Sequence, residues 1–232
     1  MKYSNTTLRE LNAQYRSVLK KCFLLNASLL IGAVLATPAV AAETPFLAEN
    51  DQVLSGTYTG YVNDSNTRAG VATVDYKTTG VSVADGTVFN GNVNNAATAG
   101  GALKLLNGVT IGNNVQFVGN QAVDPAWGGG AMYIKLANKD VESSDTSVTI
   151  GSNGLFDGNS ANLGGAIALE YGDVTIGEGT TFSNNSAANG GAIAMWQDAG
   201  DRPNLQSSLT LNSVVFDANE ATGVGGAIVV DK

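Results

Sequence analysis

One short pattern occurs five times in the 232 residues of this chain. It consists of an apolar-x-apolar triplet, then Phe-x-x-Asn, then Gly-Gly-Ala followed by apolar-x-apolar. The Phe and Asn positions are Phe89 and Asn92, Phe117 and Asn120, Phe156 and Asn159, Phe182 and Asn185, and Phe216 and Asn219. The glycines fall in pairs at Gly100 and Gly101, Gly129 and Gly130, Gly164 and Gly165, Gly190 and Gly191, and Gly225 and Gly226. A unit this short cannot bury its own apolar face, so it must stack on its neighbours. Architecture therefore follows from the repeat, and length stops being a guide to domain count because each unit contacts only the next.

The shortest complete unit, from Phe156 to Phe182, is 26 residues. Longer spacings come from insertions at fixed places, chiefly residues 137–146 and 197–208. Each unit holds three period-2 segments: Val-Thr-Ile or its equivalent, the run ending at Phe, and the apolar-x-apolar run after the glycines. Alternation with β-branched residues is a strand signal. A sandwich of hairpins has similar spacing, but hairpin neighbours need only complementary faces, whereas here near-identical strands recur one unit apart. Identical strands pair best in parallel with their own copies, about 4.8 Å away. The expected fold is all-β: a single-stranded parallel β-helix of about five coils over residues 81–232, right-handed by the crossover rule.

Each repeated residue then has a structural task. The Phe side chains form an interior aromatic ladder. The Asn residues sit where the chain bends, and Asn tolerates left-handed backbone angles and bonds to nearby backbone and from coil to coil. Gly101, Gly130, Gly165, Gly191 and Gly226, with the glycine before each, allow close backbone approach. After the glycines, Leu103/Leu105, Met132/Ile134, Ile167/Leu169, Ile193/Met195 and Ile228/Val230 point inward. Lys104, Tyr133, Ala168, Ala194 and Val229 point outward. Residues 43–80 lack the pattern and read as a linker and N-terminal cap, with strands expected near Val53, Tyr58 and residues 70–77.

The motifs as written, FNGN/GGAL, FVGN/GGAM, FDGN/GGAI, FSNN/GGAI and FDAN/GGAI, resemble the repeat of the chlamydial polymorphic membrane protein family. The resemblance covers roughly residues 81–230. It implies the β-helical passenger of an autotransporter-like surface protein, often adhesive, with a host or cell-surface protein or glycan as partner. It also implies an outer-membrane barrel in a longer product. No run of alternating amphipathic strands follows the fifth unit, so the sequence is expected to be the N-terminal part of a longer passenger or a truncated product.

Residues 1–42 read as a signal peptide recognised by the Sec export machinery. Lys20 and Lys21 close a basic region, an apolar run follows, and small residues end it, so cleavage is expected after Ala41 or Ala42. The apolar run is far shorter than the roughly 20 residues of a spanning helix. The chain's sole cysteine, Cys22, lies in this segment, so the exported part folds without disulfides. Residues 1–42 carry five basic side chains and one acidic; the remainder carries 7 basic and 19 acidic out of totals of 12 and 20. An acidic body disfavours nucleic acid as a partner.

The sequence offers little chemistry. With no His, the commonest general base and metal ligand is missing. The acidic candidates lie in the insertions: Asp140, Glu142 and Asp145, then Asp198 and Asp201 beside Arg202. Held at the right separation, two carboxylates could work on a glycoside, as in carbohydrate-active β-helix lyases and hydrolases; the plainer reading is a solvated loop. No catalytic residue and no cofactor is assigned, and weak calcium binding to acidic loops is left open. Trp127, Tyr133, Tyr171 and Trp196 are the candidate ligand surface, since aromatics anchor interfaces and stack on sugars. The plainer reading is local packing of loops onto the coil.

Overall fold

A computed structural model of the chain describes residues 44–64, 68–96, 100–123, 127–136, 145–196 and 207–231. The signal peptide, Cys22 and the cleavage positions Ala41 and Ala42 lie outside them. Among the described residues there is no helix, and every strand pairing is parallel. The fold is a parallel β-helix.

Three long sheets form its faces. The seven-stranded sheet contains Phe46–Leu47, Ala72–Val74, Leu103–Leu105, Met132–Lys135, Ile167–Tyr171, Ile193–Trp196 and Ile228–Asp231. The second contains Val53–Leu54, Ser82–Val83, Val109–Ile111, Ser147–Ile150, Asp173–Ile176 and Ser208–Leu211. The third contains Thr57–Thr59, Val88–Asn90, Gln116–Val118, Leu155–Asp157, Thr181–Ser183 and Val215–Asp217. A fourth, short face follows each repeat Asn: Val62–Asn63, Val93–Asn94 and Gln121–Ala122 pair together, as do Ser186–Ala187 and Glu220–Ala221. Ser160 bridges the two groups. These two-residue strands are too short to show a period, which is why the sequence shows only three segments per unit.

The five expected units each make one coil, and residues 53–74 make a further coil ahead of them. In the register of the third sheet Tyr58 stands at the Phe position, and it stacks on Phe89 at 5.0 Å and 10°. Tyr61 stands where Asn would be, and its backbone N–H donates to Asn92 Oδ1 at 3.0 Å. Ala69 and Gly70 replace the Gly pair. The three substitutions hide the coil from a pattern read on Phe, Asn and Gly-Gly.

The two ladders run through the stack. Ring centroids of Phe89, Phe117, Phe156, Phe182 and Phe216 lie 4.8, 4.9, 4.5 and 5.1 Å apart, with planes within 15° of parallel. The first four rings are fully buried. Stacked aromatics of this kind contribute about 0.5–1.5 kcal/mol per pair beyond area burial. In the Asn ladder, Nδ2 donates to the Oδ1 of the next coil: Asn92 to Asn120 at 2.8 Å, Asn120 to Asn159 at 3.0 Å, Asn159 to Asn185 at 2.9 Å and Asn185 to Asn219 at 2.8 Å. The same Nδ2 atoms donate to the Phe carbonyl of the coil before, as Asn159 does to Phe117 at 2.9 Å. Both polar ends of these buried amides are therefore satisfied, which removes the cost of burying them.

The left-handed backbone position is the residue before each repeat Asn, not the Asn itself. Gly60, Gly91, Gly119, Gly158, Asn184 and Ala218 have φ between 50° and 69°. The Asn is freed from the bend and spends its side chain on the ladder. The second glycine of each pair has a different reason. A Cβ on Gly101, Gly130, Gly165 or Gly191 would collide with the carbonyl oxygen of the corresponding glycine one coil on. The adjacent backbones are simply too close there for any side chain.

Candidate binding surface on the seven-stranded sheet

Alternation along Met132–Lys135 turns Met132 and Ile134 into the core and leaves Tyr133 and Lys135 on the outer face. In the next coil Ile134 pairs with Leu169, but Lys135 pairs with Tyr171, so the register shifts by one residue at Glu170. That extra residue brings the Glu170 carboxylate to the outer face. Tyr133 Oη donates to it, and Lys135 Nζ pairs with it at 2.5 Å. Lys135 Nζ also lies 5.8 Å from the centroid of the Tyr171 ring. Among the described residues this is the one ion pair, and the Glu170 side chain is only 8% exposed.

Tyr133, Ala168 and Ala194 face outward as expected, but the outer face is not open to solvent along its whole length. All three are buried, as is Tyr171, yet of the four none belongs to the interior core cluster. The reason is a second layer outside the sheet. Tyr133, Ala168 and Ala194 are in register across three coils. Trp127 and Trp196 lie 5.6 Å apart with planes 31° from each other, and Trp196 lies 6.4 Å from Tyr133. The tryptophans come from the third and fifth coils and so bridge the fourth. Of the four aromatic candidates, three are linked, Trp196 contacting both Trp127 and Tyr133. Trp127 is 46% exposed and Trp196 half-buried, while Tyr133 and Tyr171 form the layer beneath.

Lys104 stands next to Tyr133 on the same face, in register with it. Burial lowers its amine below the ordinary value of 10.5; Lys135 adds to the shift and Asp75 opposes it. From the sequence Lys104 was read only as an outward position, and Lys135 and Glu170 were not singled out; the extra residue at Glu170 shows only in the register between coils.

Of the acidic candidates, Asp145 is described. Its Oδ1 accepts from the Ser147 N–H at 2.9 Å and the Ser147 hydroxyl at 2.7 Å, the geometry of a residue holding a turn. Asp140, Glu142, Asp198, Asp201 and Arg202 lie outside the described residues. No group of three His, Cys, Asp or Glu side chains among the described residues is placed to hold a metal ion. Asp157 accepts instead from Ser183 at 2.7 Å and Asn184 at 2.8 Å in the next coil.

Comparison with known proteins finds no match among curated proteins or solved structures. A profile of the Chlamydia polymorphic membrane protein (Chlamydia_PMP) repeat matches residues 179–194. That stretch contains Phe182, Asn185 and the Gly190–Gly191 pair, the positions whose ladders and close contacts run through the other coils. Similarity to that repeat is thus found over one of the five marked units.

Proposed function

We propose that this chain is passenger material of an exported surface protein: a rigid β-helical rod that displays side chains and inserted segments to a cell-surface protein or glycan. Its role is adhesive rather than catalytic. The observation that carries this reading is the placing of the insertions. Residues 137–144 and 197–206 both follow strands of the seven-stranded sheet, directly after the strands that hold Tyr133, Lys135 and Trp196. The rod is built of repeated residues whose groups are consumed in stacking. The strands that precede both insertions belong to the sheet whose outer face carries Tyr133 and Trp196. Exposed aromatics backed by a fixed polar layer are what interface anchors look like. The repeat match and the basic-apolar-small N-terminal segment support export to the surface, with an outer-membrane barrel supplied by a longer product.

Two measurements test this. Antibody against residues 44–231 should label intact, unpermeabilised cells that express the natural protein; labelling only after permeabilisation would sink the surface assignment. Beads coated with the purified chain should adhere to cultured animal cells. Replacing Trp127 and Trp196 together by Ala should reduce adhesion at least fivefold without lowering the melting temperature by more than a few degrees. Undiminished adhesion would remove the aromatic pair from the contact.

A further inference from the structure

The apolar-x-apolar triplet that opens each unit has an outward middle residue that neither ladder uses. On the second sheet this position holds Ser82, Thr110, Thr149, Thr175 and Thr210, in register from the second coil to the sixth. Thr110, Thr149 and Thr210 are exposed and Thr175 partly so. Among the described residues, none of the four Thr hydroxyls makes a hydrogen bond within the chain.

Strand propensity does not account for this row. It favours Thr on any outer face, yet the outward row of the seven-stranded sheet reads Lys104, Tyr133, Ala168, Ala194 and Val229. That of the third sheet reads Asn90, Val118, Asp157, Ser183 and Asp217. Cross-strand Thr pairs stabilise a sheet when their hydroxyls bond each other, and these do not. The face is also flat. Neighbouring strands ordinarily turn by about 20–25°, whereas the Phe planes inside the same coils lie 5°, 9°, 5° and 15° apart. No bulky side chain flanks the row: Gly112, Gly151 and Gly177 follow three of the triplets, and Gly108, Ser147, Asp173 and Ser208 stand two residues before the threonines.

The result is a file of hydroxyl and methyl groups, each about 4.8 Å from the next. A flat face cannot enclose a small soluble ligand, which is bound in a concave site. It fits a solid whose own surface repeats at the same interval. The oxygen rows of ice repeat within a few tenths of an ångström of the coil rise. Each Thr hydroxyl can take the place of a lattice water while its methyl fills the hollow beside it. Holding the side chain in one rotamer costs little, because a β-branched residue is already stiff at χ1. We propose that the outer face of the second sheet is an ice-binding surface, with Thr110, Thr149, Thr175 and Thr210 as its contact residues. The inference goes beyond the adhesive reading and does not use the Trp127–Trp196 surface.

Ice recrystallisation tests it. The purified full chain, at micromolar concentration, should stop the coarsening of ice grains held just below freezing and should facet single ice crystals in a nanolitre osmometer. Thr149→Tyr places a bulky ring in the middle of the row at an exposed strand position. It should raise the concentration needed at least tenfold while leaving the melting curve unchanged. Gln116→Tyr, the same change on the outer face of the third sheet, should have no effect. Trp127→Ala should also leave the activity intact, so that loss of adhesion and loss of ice binding are read separately. Normal grain growth at hundred-micromolar protein, full activity in Thr149→Tyr, or an equal loss in Gln116→Tyr would each overturn the proposal.

Discussion

At the scale of single residues, the repeat divides into positions with different physical reasons. Gly at the residue before the ladder Asn answers a left-handed backbone; Gly at the second place of the pair answers a collision with the next coil. The sixth coil departs at the first of these, where Ala218 holds φ 50°. A non-glycine residue there costs roughly 1–2 kcal/mol, against which glycine loses about 0.5–1 kcal/mol in chain entropy. Ala218→Gly is therefore expected to stabilise the protein by about 0.5–1 kcal/mol in urea unfolding; a loss of stability would show that the local strain is relieved elsewhere. Lys104 carries a titration prediction. Its amine is held below 10.5 chiefly by burial, so between the lowered value and 10.5 the unfolded chain binds more protons than the folded one. Stability must rise with pH through that window. Lys104→Met should flatten the rise and leave the protein more stable at neutral pH; an unchanged alkaline slope would refute the burial argument.

At the scale of elements, the informative one is the strand Ile167–Tyr171. One extra residue shifts its register against Met132–Lys135 and puts a carboxylate between a phenol and an ammonium. Breaking a buried pair by removing one partner costs more than the pair contributes, because the remaining charge is left uncompensated. The Lys135 side chain is 20% exposed, so water softens the penalty. Glu170→Gln is expected to cost about 1–3 kcal/mol, and Lys135→Met combined with it should recover a good part. If the single and double variants unfold at the same denaturant concentration, the pair is not coupled. Element existence was readable from the Val-Thr-Ile and apolar-x-apolar alternation. The bulge was not, because Leu169-Glu170-Tyr171 reads equally well as the end of a regular strand. The strands of the fourth face were invisible because two residues are too few to show a period.

At the scale of the whole molecule, stability is a sum over coils and the contacts between neighbours. A defect in the middle should therefore divide the stack rather than soften it evenly. Phe156 is fully buried between Phe117 and Phe182. Phe156→Asp would bury an unpaired charge, and native-state hydrogen exchange should show the fourth coil and its neighbours losing protection first. Uniform loss over all coils would argue against the nearest-neighbour picture.

The sequence by itself determined the β-helix, its five marked coils and the direction each ladder residue faces, because stacking identical units forces identical residues into register. It placed strands near Val53, Tyr58 and residues 70–77 but read them as a cap and not as a coil, since Tyr58, Tyr61 and Ala69 fill the marked positions with other residues that the same neighbours accept. Only the tertiary structure decided what lies on the faces. Trp127 and Trp196 meet across a coil, and Glu170 reaches Tyr133 and Lys135. Such contacts depend on register between coils separated by insertions of unequal length, and no local pattern carries that information.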